Sequence, residues 1–190
     1  MSRNPMLALG FAASLALGVT AAQAQTPSSP MSQPSATHKA SKAEQHFIKE
    51  AIEGDLSEIK VGKLAQQNGQ SQDVKQFGQT LEQDHSQNLQ KAQALAQQEG
   101  VTPPTQPNAK ETKMYDRLSK KNGAAFDKAL AQAMVKDHKE DIAKFEKQAK
   151  KNDAVGQFAQ QTLPVLHKHL QIAQSIEHKD AAVGSGQTSK

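Results

Sequence analysis

VKQFGQTLEQDHSQNLQKAQAL (residues 74–95) and FDKALAQAMVKDHKEDIAKF (residues 126–145) decide how the chain folds. In the first, Val74, Phe77, Leu81, Leu89, Ala92 and Leu95 recur at three- and four-residue steps. In the second, Phe126, Leu130, Met134, Ile142 and Phe145 do the same. That period gathers apolar side chains on one stripe of an α-helix, whereas a strand would alternate them. Each run carries an Asp-His step near its middle, Asp84-His85 and Asp137-His138, and each imidazole falls inside the apolar stripe. Aligning the two steps pairs Phe77 with Leu130, Leu81 with Met134 and Leu89 with Ile142. Any two amphipathic helices in phase share part of that pattern, and a duplicated hairpin would leave all of it.

The same period extends outward. Ser41-Lys-Ala-Glu44 reads as a capping box, and Phe47, Ile48, Ala51, Ile52, Ile59 and Ala65 follow in helical phase until Asn68-Gly69. Ser71 caps the second helix, which runs to about Glu99. Pro103, Pro104 and Pro107 then forbid a continuous helix. A short helix is predicted over 110–121, a long one over 124–151, and a last one, capped by Asp153, over 154–177. Pro164 inside the last should kink it or remove a hydrogen bond. Five of the six phenylalanines (Phe47, Phe77, Phe126, Phe145, Phe158) lie on inner faces. The expectation is all-α: a four-helix bundle with a long connection between the second and third long helices that contains the short helix. That connection can span the bundle's length, which favours an up-down-down-up order over plain up-and-down.

Residues 1–24 carry Arg3, a short apolar run and Ala22-Gln23-Ala24, the signature of a secretory signal peptide. Residues 25–40 form a Pro- and Ser-rich leader expected to be disordered, 41–178 the bundle, and 179–190 a flexible tail. The mature chain is expected to be periplasmic or extracellular, without a transmembrane anchor, and no barrel pattern or lipid-modified cysteine supports an outer-membrane place. With no cysteine, the core must hold the fold without disulfides, and thiol chemistry is excluded. A net charge of +4 spread over mixed Lys and Glu, with no Trp and one Tyr, leaves no base-stacking platform and argues against nucleic acid. No phosphate loop, nucleotide fingerprint or Ser-His-Asp order occurs.

Stepping 100° per residue finds a polar intruder on each long helix, Glu58, His85, His138 and His169, with Asp141 also inside the stripe of the third. Gly54 and Gly62 flank Glu58. All four intruders sit near mid-helix, so hairpins between neighbours bring them to one level. A carboxylate and three imidazoles suit iron, manganese, zinc or copper. A buried polar group without a partner costs about 1–3 kcal/mol, so a closed Glu/His hydrogen-bond network answers the same need. Asp84, Asp137 and Asp141 are candidate supports for the imidazoles. Glu82-x-x-His85 matches the string of di-iron bundles, but Glu82 points to the edge of the stripe. Haem between two imidazoles has no sequence support.

FIKEAIEGDLSEIKVGKLAQ, VKQFGQTLEQDH, FDKALAQAMVKDH and LPVLHKHLQIA resemble, in order and spacing, the four signature blocks of the exported domain-of-unknown-function family forty-one forty-two. The resemblance covers about Ser41 to Ile176, and Glu58, Asp84, His85, Asp127, Asp137, His138, Pro164 and His169 occupy the family's pattern positions. It implies a ferritin-like fold and no settled activity. Val135 stands where a second Glu-x-x-His would need its Glu, and Leu166 precedes His169 by three residues. Both depart from di-iron ferritins. The function expected is therefore that of a non-enzymatic exported bundle, in a stress-related setting, with a core transition-metal site. A metal-free interaction protein with a buried Glu/His network is the alternative, and a di-metal oxidase the third reading.

Overall fold

A helix forms where its first free N–H groups find acceptors, and in four of the five described helices a side-chain oxygen supplies one. The computed structural model describes residues 39–186, with side chains to Lys179. Its helices are α1 (Lys42–Asn68), α2 (Gln72–Gln98), α3 (Ala109–Ser119), α4 (Gly123–Ala149) and α5 (Ala154–Gly186), with no strand among the described residues. Ser41 Oγ accepts from the Glu44 backbone N–H, and the Glu44 carboxylate accepts from that of Ser41 at 2.7 Å, a complete capping box. Ser71, Asn108 and Asp153 cap α2, α3 and α5. Gly123 opens α4 at φ 60°, a left-handed conformation that disfavours any side chain.

Pairwise contacts give the directions. Asp73, Asp84 and Asn88 of α2 meet Lys179, His169 and Thr162 of α5, so the numbers rise on one helix as they fall on the other. Glu50 and Glu58 of α1 likewise meet Lys144 and His138 of α4, and Glu44 meets Lys151 just past the end of α4. Each long helix is thus antiparallel to both neighbours, in the ring α1-α2-α5-α4. α1 and α5 run one way, α2 and α4 the other: up-down-down-up. The chain must return the length of the bundle between α2 and α4, and α3 lies on that path against α1 and α4, burying Met114 and Leu118.

The seams differ in closeness. α1 and α2 touch backbone to backbone, because a Cβ on Gly62 or Gly78 would come within 2.6 Å of the other's carbonyl oxygen. The α1–α4 seam is wider and filled by side chains. The turn between α1 and α2 is held from α4: the Asp127 carboxylate accepts from the backbone N–H of Gln70 (2.9 Å) and Ser71 (2.8 Å). That gives Asp127 a structural place.

Two apolar clusters fill the core. One is built round Phe47, Phe145 and Phe158, with the first two packed edge-on at 4.8 Å. The other surrounds Phe77, Phe126, Leu81 and Met134. All five of these inner-face phenylalanines are buried. The polar intruders lie between the clusters.

The proposed signal peptide, the leader up to residue 38 and residues 187–190 lie outside the described residues. Two expected boundaries move. Ala40, read as leader, is buried and donates its N–H to Glu99 at 2.9 Å. Residues 179–186, read as tail, continue α5, because Ala181-Ala182-Val183 offers no stop before Gly184. Pro164 stands within α5 on its exposed side, where the carbonyl it leaves without an N–H partner belongs to the exposed Gln160.

Candidate metal centre

Each long helix contributes one side chain to the centre of the bundle: Glu58 from α1, His85 from α2, His138 from α4 and His169 from α5. All are at most 5% exposed. One ligating atom from each lies within 4.8 Å of the others. The three imidazole centroids are 5.2, 5.3 and 6.1 Å apart.

A proton inventory shows what this cluster needs. His138 Nδ1 is 3.1 Å from the Met134 carbonyl, which only accepts, so Nδ1 carries a proton. His169 Nε2 is 2.9 Å from Asp84 Oδ2 and donates to it. Their remaining nitrogens, His138 Nε2 and His169 Nδ1, then face each other at 3.3 Å, as two lone pairs when both rings are neutral. Two bare nitrogens at that distance repel unless a proton or a metal ion sits between them. His85 Nδ1 donates to Asp55 Oδ1 at 2.8 Å, and its Nε2 meets Glu58 Oε2. Glu58 Oε1 is 3.5 Å from His138 Nδ1, and neither Glu58 oxygen has the aligned geometry of a hydrogen bond. With every outer nitrogen held by an oxygen, the inward set is His85 Nε2, His138 Nε2, His169 Nδ1 and a carboxylate.

The charges follow the same pattern. Burial raises Glu58, but the imidazoles of His138 and His85 outweigh it and hold the carboxyl at about 2. Burial works against the His85 cation, yet Glu58 and Asp55 hold it well above its ordinary value. Burial and the positive His85 push His169 down to about 4, so His169 is the neutral ring. Asp84 is held below the usual carboxylate range, because His169 and Lys168 outweigh its partial burial. Asp55 is pushed up, since burial outweighs the pull of His85 and Asn88.

A concentration of acidic side chains adjoins this cluster on the α4 side. Burial, Asp137 and Glu58 push Asp141 up to about 8. Burial and Asp137 push Glu111 up to about 7. Burial and Glu58 also raise Asp137. Lys110 serves Asp137 (3.1 Å), Glu140 (2.9 Å) and Glu111 (3.6 Å) at once. A cleft with a cavity of about 30 Å3, room for roughly one water, reaches Glu58 and His85 from the α1–α4 face.

The structure brings Glu58, His85, His138 and His169 together, but it rearranges their expected supports. Asp84 supports His169 across the α2–α5 seam, not its neighbour His85. Asp137 turns to Lys110 and makes no bond to His138. Asp141 stands at the cleft, 3.6 Å from Lys144. Glu82 bonds Gln66 (2.8 Å) outside the cluster, and His167 is exposed. Two supports were not read from sequence. Asp55 holds His85, and Asn88 Nδ2 donates to both Asp55 oxygens at 3.0 and 3.1 Å. Asn88 Oδ1 lies 2.9 Å from Thr162 Oγ1, whose single proton serves Asn88 or the Phe158 carbonyl. The Asp55-x-x-Glu58 spacing, one turn along the same face, was the available signal.

Residues 29–176 match the family described as Domain of unknown function (DUF4142), and the chain belongs to that family. No curated protein and no solved structure matches it. Among the described residues, no helix is long and apolar enough to cross a membrane.

Proposed function

We propose that this DUF4142 member is an exported, ferritin-like four-helix bundle that holds one transition-metal ion in its core through Glu58, His85, His138 and His169. The observation that carries this reading is the pair of imidazole nitrogens of His138 and His169 that face each other at 3.3 Å, beside a buried carboxylate without directed hydrogen bonds. Three imidazole nitrogens and one carboxylate oxygen suit iron, manganese, zinc or copper. The ion would displace the proton that His85 carries between Glu58 and Asp55. Asp55, Met134 and Asp84 fix the three tautomers in the form a metal ligand requires. The role is one of holding the ion, not of catalysis.

Elemental analysis and thermal melting of the purified mature protein test this. One equivalent of bound metal, with a melting temperature that rises with metal concentration, is the expected result. No bound metal and no shift with iron, manganese, zinc or copper would overturn it. A metal-free network is the second reading, favoured by the His85 imidazolium standing between Glu58 and Asp55. His169→Leu separates the two: a ligand's loss removes the metal-dependent part of the stability, whereas a network member's loss costs the same with and without metal.

A further inference from the structure

A buried ion needs a way in, and the two glycines either side of Glu58 stand in opposite surroundings. At Gly62 the neighbouring helix leaves no room for a Cβ, whereas at Gly54 nothing lies within 4 Å of the Cβ position. Gly54 lines the cleft between α1 and α4 whose inner wall includes Glu58 and His85. The outer wall includes Glu50 on α1 and Asp141 and Lys144 on α4. Lys144 Nζ lies 3.5 Å from Glu50 and 3.6 Å from Asp141, and so straps the mouth from one helix to the other. The Lys144 side chain is 42% exposed. Further in, both Glu58 oxygens are buried without a directed hydrogen bond.

We propose that this cleft is the route by which the ion reaches and leaves the core, with Gly54 keeping it open and Lys144 acting as its strap. The inference rests on the proposed metal site and adds the path to it. Glu50 presents carboxylate oxygens to an arriving cation once Lys144 swings out, with the Asp141 carboxyl beside it, and Glu58 receives it at the inner end. The opening on the opposite side, between α2 and α5, reaches His85 past Lys91 and Gln161 but does not touch Glu58.

Cobalt(II), whose visible absorption reports coordination, serves as the probe in stopped-flow uptake and in release to a chelator. Gly54→Leu places its side chain in open space at a helical position, where leucine is favoured over glycine by about 1 kcal/mol, so the fold should persist. Uptake and release should both slow by about tenfold or more. The dissociation constant, their ratio, should stay the same, because the route is obstructed and the ligands are not. Lys144→Met should speed both steps, and Gln161→Trp, on the opposite opening, should change neither. Unaltered rates in Gly54→Leu, or slowing in Gln161→Trp instead, would overturn the route while leaving the metal site standing. Should Gly54→Leu fail to fold, unaltered rates in Lys144→Met overturn it. If the unsubstituted protein takes up no cobalt, the metal site itself falls and the route with it.

Discussion

Asp84-His85 and Asp137-His138 are the same dipeptide at the same phase of two amphipathic helices, yet the bundle uses them differently. Both imidazoles turn into the core. His85 is held from α1 by Asp55, whereas His138 is held within its own helix by the Met134 carbonyl one turn back. Asp84 crosses to His169 on α5, while Asp137 turns to Lys110 at the start of α3. Helical phase therefore fixes which way a side chain points. The neighbouring helix, with its height and rotation, fixes what it meets.

His85 takes its place from the close seam between α1 and α2. Gly62→Ala puts a Cβ 2.6 Å from the Gly78 carbonyl. It should force α1 and α2 apart, costing roughly 2–3 kcal/mol and about 5–10 °C in melting temperature. His85 should move from Glu58 while His138 keeps its place, and urea unfolding with imidazole NMR would read both. A variant of full stability would show that the seam is not tight. A second substitution sharpens the contrast between the aspartates. Asp84→Asn removes the charged acceptor of His169 and should weaken metal binding by about 10–100-fold in a competition titration. Asp137→Asn should leave the affinity nearly unchanged, and equal losses in the two variants would erase the distinction. Without metal, Asp137→Asn should leave stability unchanged or raise it by up to about 1 kcal/mol. Its charge is disfavoured by burial and Glu58, and the neutral amide removes that burden.

The difference between the two steps also marks how much the sequence disclosed. The helices were legible because Ser41, Ser71 and Asp153 are strong caps and the apolar period is regular. The four inward polar residues were legible because each interrupts a stripe that would otherwise be apolar. The supports were not. A helical wheel gives the angle of Asp84 on α2 but not the offset of α5 that brings His169 to it. Asp55 was within reach, one turn before Glu58, but an acidic pair at that spacing occurs equally on exposed faces. The end of α5 was missed for a simpler reason: polar composition near Lys179 suggested a tail, while no residue before Gly184 stops a helix.

The smallest expected effect comes from two buried glutamates away from the cluster that differ, as the aspartates do, in the partner each finds. Glu44 has Lys151 at 2.5 Å and the Ser41 cap. These hold its carboxyl at about 2, below its value in the unfolded chain. Its contribution is therefore complete above about pH 4.5 and is lost as the pH falls toward 2. Glu111 has only a share of Lys110, and burial with Asp137 pushes it up to about 7. The folded state then binds a proton more tightly than the unfolded chain, so stability falls as the pH rises from about 4.5 to 7. Lys151 is 37% exposed, so the Glu44 effect should be about 1 kcal/mol or less after screening, and the Glu111 effect, set by burial and Asp137, has the opposite sign. Urea midpoints at low, intermediate and neutral pH should show Glu44→Gln flattening the acid limb alone and Glu111→Gln the neutral limb alone. If either substitution flattened both limbs, the two glutamates would be coupled through the bundle, and partner geometry would not be what separates them.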